Sequence, residues 1–251
     1  MKIPVRLAAA VALALPFAVQ ADPNDYIQGP AVEYGEREIE LKAGTWKLLR
    51  GDEDRVRQSA AALSVGYGAT PWWFTELYVN YEKESPERFK YDAFEWENKF
   101  QLTEPNQYFV DVGLLAEIEI PREHATEGYE LKLGPLFQWD TGAVRWNANL
   151  FFERRFRGQP EEPRRTEMQY QLQARVPVRH GLDVGAQAFG EMGPWNHWEP
   201  RDEQLHRIGP AIFGKVKLEG RESIQWNAAY LVPLTDATPR NSFRVQVEYE
   251  F

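Results

Sequence analysis

The chain has 251 residues, carries 38 acidic against 29 basic side chains for a formal charge of −9, and contains no cysteine. That balance, without Lys/Arg runs, argues against a nucleic-acid binder, and the missing thiols exclude a disulfide framework and a thiolate metal site. A mean hydropathy of −0.56 beside 14% aromatic residues suits a barrel that turns one strand face to lipid and hides the other.

In chain order, residues 1–21 read as a secretory leader. Lys2 and Arg6 open it, an apolar run from Leu7 to Val19 follows, and Val19 and Ala21 suit a small-residue cleavage site. No later stretch approaches the roughly 20 apolar residues of a spanning helix. Residues 22–30 read as a short, disordered periplasmic arm, and 31–251 as the barrel.

About twelve strand-like segments follow. The first, near 31–49, is the least regular, with Ile39, Leu41 and Ala43 alternating with Glu38, Glu40 and Lys42. After a loop at 51–55, residues 57–69 put Ala61, Leu63, Val65 and Tyr67 on one parity. A turn at Thr70-Pro71 leads into 73–84, where Leu77 and Val79 oppose Glu76 and Asn80. In 89–102, Phe94, Trp96 and Phe100 oppose Glu95, Glu97 and Lys99, and Asn98 interrupts the apolar face. The fifth segment, 108–120, runs Tyr108, Val110, Val112, Leu114, Ala116, Ile118 and Ile120 against Asp111, Glu117 and Glu119.

A polar loop at 121–127 precedes 128–139 and 143–156, which the hairpin signal Asp140-Thr141-Gly142 joins. The longest charged loop, 157–165, leads to 166–179, where Tyr170, Leu172 and Ala174 oppose Gln169, Gln171 and Arg175. The segment 182–191, a long loop at 192–204, then 206–219 and 222–234 lead to the last strand. There Phe243, Val245, Val247, Tyr249 and Phe251 oppose Arg244, Gln246, Glu248 and Glu250.

Strict period two gives every segment one apolar and one polar face. Connections alternate short and long, as in outer-membrane barrels with short periplasmic turns and longer external loops. Aromatics gather at strand ends: Trp72, Phe100, Tyr108, Trp139, Trp146, Trp226 and Phe251 toward one edge, Tyr81, Tyr129, Phe152, Tyr170 and Tyr230 toward the other. Two such girdles mark a membrane barrel. A soluble sandwich or lipocalin-like barrel also alternates but turns the apolar parity inward, and parity alone does not separate the two. The expected class is an all-β transmembrane antiparallel barrel in the bacterial outer membrane, with ten or fourteen strands as neighbouring counts.

The final strand, ending on Phe251, resembles the C-terminal signal of bacterial outer-membrane barrels. That resemblance implies that Tyr249 and Phe251 are read by the barrel-assembly machinery and that the strand closes the barrel. Three further stretches, Tyr67 to Val79, Phe94 to Pro105 and Pro200 to Gln204, resemble channel-like proteobacterial outer-membrane proteins of phenol meta-pathway (aromatic-degradation) clusters. The resemblance is diffuse, spans most of the mature chain, and implies fold and location more than a substrate.

An outer-membrane lipid hydrolase would need a Ser or Asp beside a His at the external rim. His124 and His197 fall in external loops, His180 in a periplasmic turn and His206 at a strand start, while Ser59, Ser85 and Ser242 lie in no nucleophile motif. His197, Glu199, Asp202, Glu203 and His206 could ligate zinc or copper, but their spacing reads as a solvated loop. No catalytic residue, metal or cofactor is therefore expected. The polar parity is more informative. It sets Glu76, Glu95, Glu97, Asp111, Glu117 and Glu130, with Lys132, on one wall, and Arg145, Arg155 and Arg175 on a more basic one, while the last strand adds Arg244 beside Glu248 and Glu250. Such charges must meet water or each other. The expectation is a narrow passive channel for small polar or aromatic-acid solutes with these residues lining it, set against a salt-bridged, plugged structural or adhesion barrel.

Overall fold

The computed structural model describes residues 26–47, 57–84, 87–158 and 165–251. The leader, the loop at 51–55, Ser85 and part of the 157–165 loop lie outside the described residues. Twelve antiparallel strands close into a single ring: β1 (Arg37–Lys47), β2 (Arg57–Thr70), β3 (Trp73–Glu84), β4 (Lys90–Gln101), β5 (Asp111–Pro121), β6 (Tyr129–Thr141), β7 (Val144–Phe156), β8 (Thr166–Arg179), β9 (Leu182–Pro194), β10 (Leu205–Lys217), β11 (Ser223–Pro233) and β12 (Arg240–Glu250). Each strand pairs with its sequence neighbours, and β12 returns to β1 with Leu41 opposite Val247. Phe251 extends that seam by donating its backbone N–H to the Arg37 carbonyl at 2.8 Å.

The direction of the apolar face settles which kind of barrel this is. Leu63, Val65, Val216 and Phe243 are 53, 56, 52 and 49% exposed, while Glu76, Glu97 and Arg244, on the other parity, are 2, 5 and 1% exposed. A soluble barrel would bury the first set and wet the second. The chain is a transmembrane β-barrel with an apolar outside and a polar inside. Stacked rings thicken both edges: Trp72 on Phe100 at 6.2 Å, Trp139 on Trp146 at 6.2 Å and Tyr249 on Phe251 at 5.4 Å at the short-turn end, with Tyr81 edge-on to Tyr91 at 6.3 Å at the other. Asn98, the polar break in the apolar face of β4, accepts a hydrogen bond from Trp73 Nε1 at 3.0 Å, so the outer surface keeps its amide satisfied.

Short turns cluster at the end holding the start of β1 and the end of β12, and longer loops at the opposite end. Gly142 and Gly181 take positive φ (61° and 70°) in two of the tight turns, a conformation that needs no Cβ. The β4–β5 connection breaks the rule. Strand β5 begins at Asp111, three residues later than the alternation at Tyr108 implies, because side chains close the turn first. Thr103 Oγ1 accepts from Val112 N at 2.8 Å, and Asp111 Oδ1 accepts from Asn106 N, whose residue sits at φ 61°. The loop expected at 121–127 holds one helical turn, His124–Glu127.

The arm is the larger correction. Residues 26–30 do not trail as a disordered segment at the periplasmic side; Tyr26 is 5% exposed, inside the ring, with its hydroxyl on the carbonyls of Ala43 and Val245.

Candidate functional site

The inner face is the candidate site, and the strand register builds it. In β3 to β6, the inward parity brings carboxylates into direct opposition: Glu76 with Glu97, Glu97 with Glu117, Glu95 with Glu119, and Glu119 with Glu130. Like charges facing each other across a sheet repel, so this arc holds only with cations, protons or donors close by. Lys132 Nζ reaches Glu117 at 3.0 Å, and Arg155 Nε reaches Glu130 at 2.7 Å. Ser64 donates to Glu76 and Asn80 to Glu95. From β1, Lys42 Nζ lies 3.3 Å from Glu40 and donates to Tyr78 Oη at 2.7 Å, while that hydroxyl donates to Glu40 at 2.8 Å. Lys99 hangs 4.8 Å over the Phe74 ring.

The arc from β7 to β9 differs from its expected basic character. Its mid-height is neutral, a ladder of amides: Asn147 donates to Gln138 at 3.2 Å, Gln173 to Asn147 at 3.2 Å, Gln187 to Gln173 at 2.9 Å, and Asn149 to Gln171 at 3.2 Å. The arginines sit nearer the ends. Arg145 forms a two-pronged pair with Asp140 beside the tight turn, both bonds 3.0 Å, Arg155 stands at the long-loop end, and Arg175 lies 3.9 Å from Asp183. Deeper positive charge comes from β10 and β12. Arg207 lies over the rings of Trp46 and Phe189 at 5.9 and 5.3 Å, and Arg244 over Phe189 at 4.1 Å. In a ring of twelve, β4 and β10 stand across from one another, so the acidic arc faces Arg207 across the lumen.

All eleven residues expected to line the lumen sit on the inner parity. The sequence reading missed much of what surrounds them. Leu115, Leu136 and Phe151 form one buried apolar island inside the wall, and Phe189, Ala211, Phe213, Ala229 and Leu231 another. Their signal was available as bulky residues on the polar parity. Lys42, Glu40 and Tyr26 were also missed as members of the site.

Free space narrows along the axis. A vestibule of about 760 Å³ opens at the short-turn end, among Glu36, Glu38, Glu248, Lys99, Arg175 and Lys215. Burial raises the Glu36 carboxyl above its usual range, and Glu250 and Glu33 add to the shift. At mid-height a cavity of about 40 Å³, among Tyr26, Lys42, Tyr78, Glu97 and Lys132, has room for a few waters only. Toward the long loops, the cleft beside Trp46, Arg207 and Ser242 falls to about 10 Å³.

Three of the residues weighed for catalysis and metal binding are engaged elsewhere. His206 contacts Tyr170 Oη through Nδ1 at 2.9 Å and Gln204 Oε1 through Nε2 at 2.8 Å. Ser59 donates to Thr45 Oγ1 at 3.1 Å, and His124 Nδ1 lies 3.2 Å from the Pro121 carbonyl. Among the described residues, carboxylate groups close enough to share an ion are Glu36 with Glu38 and Glu248, and Glu38 with Glu40 and Glu76.

A closed twelve-stranded ring with a lipid-compatible outside and a charged bore defines a membrane barrel of the porin-like kind. The solved structure described as "NanC porin structure in rhombohedral crystal form" shares the fold: TM-score 0.56 at 12% identity, covering 85% of this chain and 100% of that one. The TodX monoaromatic hydrocarbon channel, in a mutant form, aligns at TM-score 0.45 and 8% identity over 89% of this chain and 92% of that one. No protein-family model and no curated protein matches the sequence.

Proposed function

We propose that this barrel is a narrow passive channel of the bacterial outer membrane for small polar or aromatic-acid solutes. One observation carries the reading: the inner wall is charged and opens into a vestibule of about 760 Å³. A barrel built only as a scaffold has no use for directly opposed carboxylates, which cost stability unless water and counter-ions reach them. The acidic excess favours mild cation preference, and the separation of the acidic arc from Arg207 and Arg244 favours solutes with separated charge. The fold shared with a structure described as a porin supports the same reading. Kinship with the channel-like proteins of phenol meta-pathway clusters belongs to this proposal, as do outer-membrane lipid and the assembly machinery as partners and the eleven inner charged residues as the pore lining.

Planar-bilayer recording with ion-selectivity measurement tests it. Discrete conductance steps with cations favoured are expected. Folded, heat-modifiable protein that gives no steps would leave the plugged structural barrel, a reading that the narrow mid-lumen favours.

A further inference from the structure

The strands alone do not make the narrowing at mid-lumen. The vestibule and the mid-lumen cavity share Gln28 as a wall, and Tyr26 bounds the cavity from the same side. The arm is thus the partition between them. Its seat is built into the barrel. The Tyr26 ring lies between two cations, Arg244 Cζ at 4.5 Å and Lys42 Nζ at 5.6 Å from its centroid, one from each strand of the β1–β12 seam. Its hydroxyl is shared between the carbonyls of Ala43 and Val245, which are register partners across that seam.

The wall makes room for the backbone behind it. A Cβ on Gly113 would stand 2.9 Å from Pro30 Cβ, and one on Gly68 would stand 2.0 Å from the Glu33 carbonyl oxygen. Val32 N donates to Gln101 Oε1 at 2.8 Å, and Gly35 N to the Gly68 carbonyl at 2.8 Å. Gly35 takes φ +79°, and no atom lies within 4 Å of where its Cβ would be, so the chain turns into the lumen there without obstruction.

We propose that residues 26–28 form the mid-lumen constriction of the channel: the strands supply the bore, and Tyr26 limits the size of solutes that pass mid-height. This rests on the channel reading. A solute passing the middle must pass the Tyr26 ring and then the acidic arc, so the ring acts on size while the wall acts on charge.

The test compares Tyr26→Ala, Tyr26→Phe and the wild type by single-channel conductance and by liposome swelling with neutral sugars of increasing size. Tyr26→Ala should raise conductance about two-fold or more and admit larger sugars, because the bore there becomes wall-limited. Tyr26→Phe keeps the ring and loses only the hydroxyl clasp, so its size limit should match wild type. A purely structural clasp predicts the opposite, both variants altering the barrel alike, and that result would overturn the inference. Should Tyr26→Ala not assemble, Gln28→Cys in this cysteine-free chain provides the second arm. A bulky thiol reagent should then cut the current sharply, and an unchanged current counts against the constriction. Wild-type conductance with no change in Tyr26→Ala would remove the constriction and leave the channel. No conductance from any variant would remove both.

Discussion

Two arcs of one wall obey the same alternation and solve opposite problems. From β3 to β6, carboxylates face carboxylates in register, and Lys132 within the arc and Arg155 from β7 pair with Glu117 and Glu130. From β7 to β9, amides face amides at mid-height and bond one another along a ladder. The acidic arc depends on groups outside itself and on water. The amide arc draws mainly on its own members, with Gln138 of β6 at its edge. Opposed carboxylates are therefore concentrated on one side of the lumen, and that asymmetry is what a passing solute would meet.

The β1–β12 seam that closes the ring gives the largest expected effect. Removing residues 249–251 takes away the Ile39–Tyr249 pairing and the Phe251 bond to Arg37. Assembled, heat-modifiable barrel should fall to a small fraction of wild type, with Phe251→Ala showing a milder form of the same loss. Wild-type levels in the membrane fraction would mean that the seam closes without its aromatic end.

Within the acidic arc, Lys42→Met strands Glu40 and Tyr78 in a buried site. A loss of about 3–5 kcal/mol in denaturant unfolding is expected, the scale for breaking a buried pair from one side. The amide arc should be gentler. Gln173→Leu orphans single amide groups on Asn147 and Gln187 and should cost about 1–3 kcal/mol. Equal losses from the two substitutions would erase the contrast between the arcs.

The smallest effect on stability should come from Glu95→Lys, which turns the opposed Glu95 and Glu119 into an ion pair. Its signature is electrical: the reversal potential moves toward anions, and Arg175→Glu moves it toward cations. Conductance indifferent to both would keep a pore and discard the transverse field.

Much of this was legible in the residues. Strict alternation, turn signals such as Asp140-Thr141-Gly142 and the aromatic strand ends specify strand number and order, because pleat and turn chemistry act over a few residues. Alternation also sorted every expected lumen charge onto one face. It did not say which face was inside, since a soluble barrel and a membrane barrel share a period of two. Nor did it show that β7 and β8 keep their arginines toward the ends, because height along the axis depends on register with strands on both sides. The arm lay furthest from reach. Tyr26 is held by Val245, 219 residues away, and by cations from the first and last strands. No local pattern encodes such a seat; it exists only once the ring has closed and Gly68 and Gly113 leave it room.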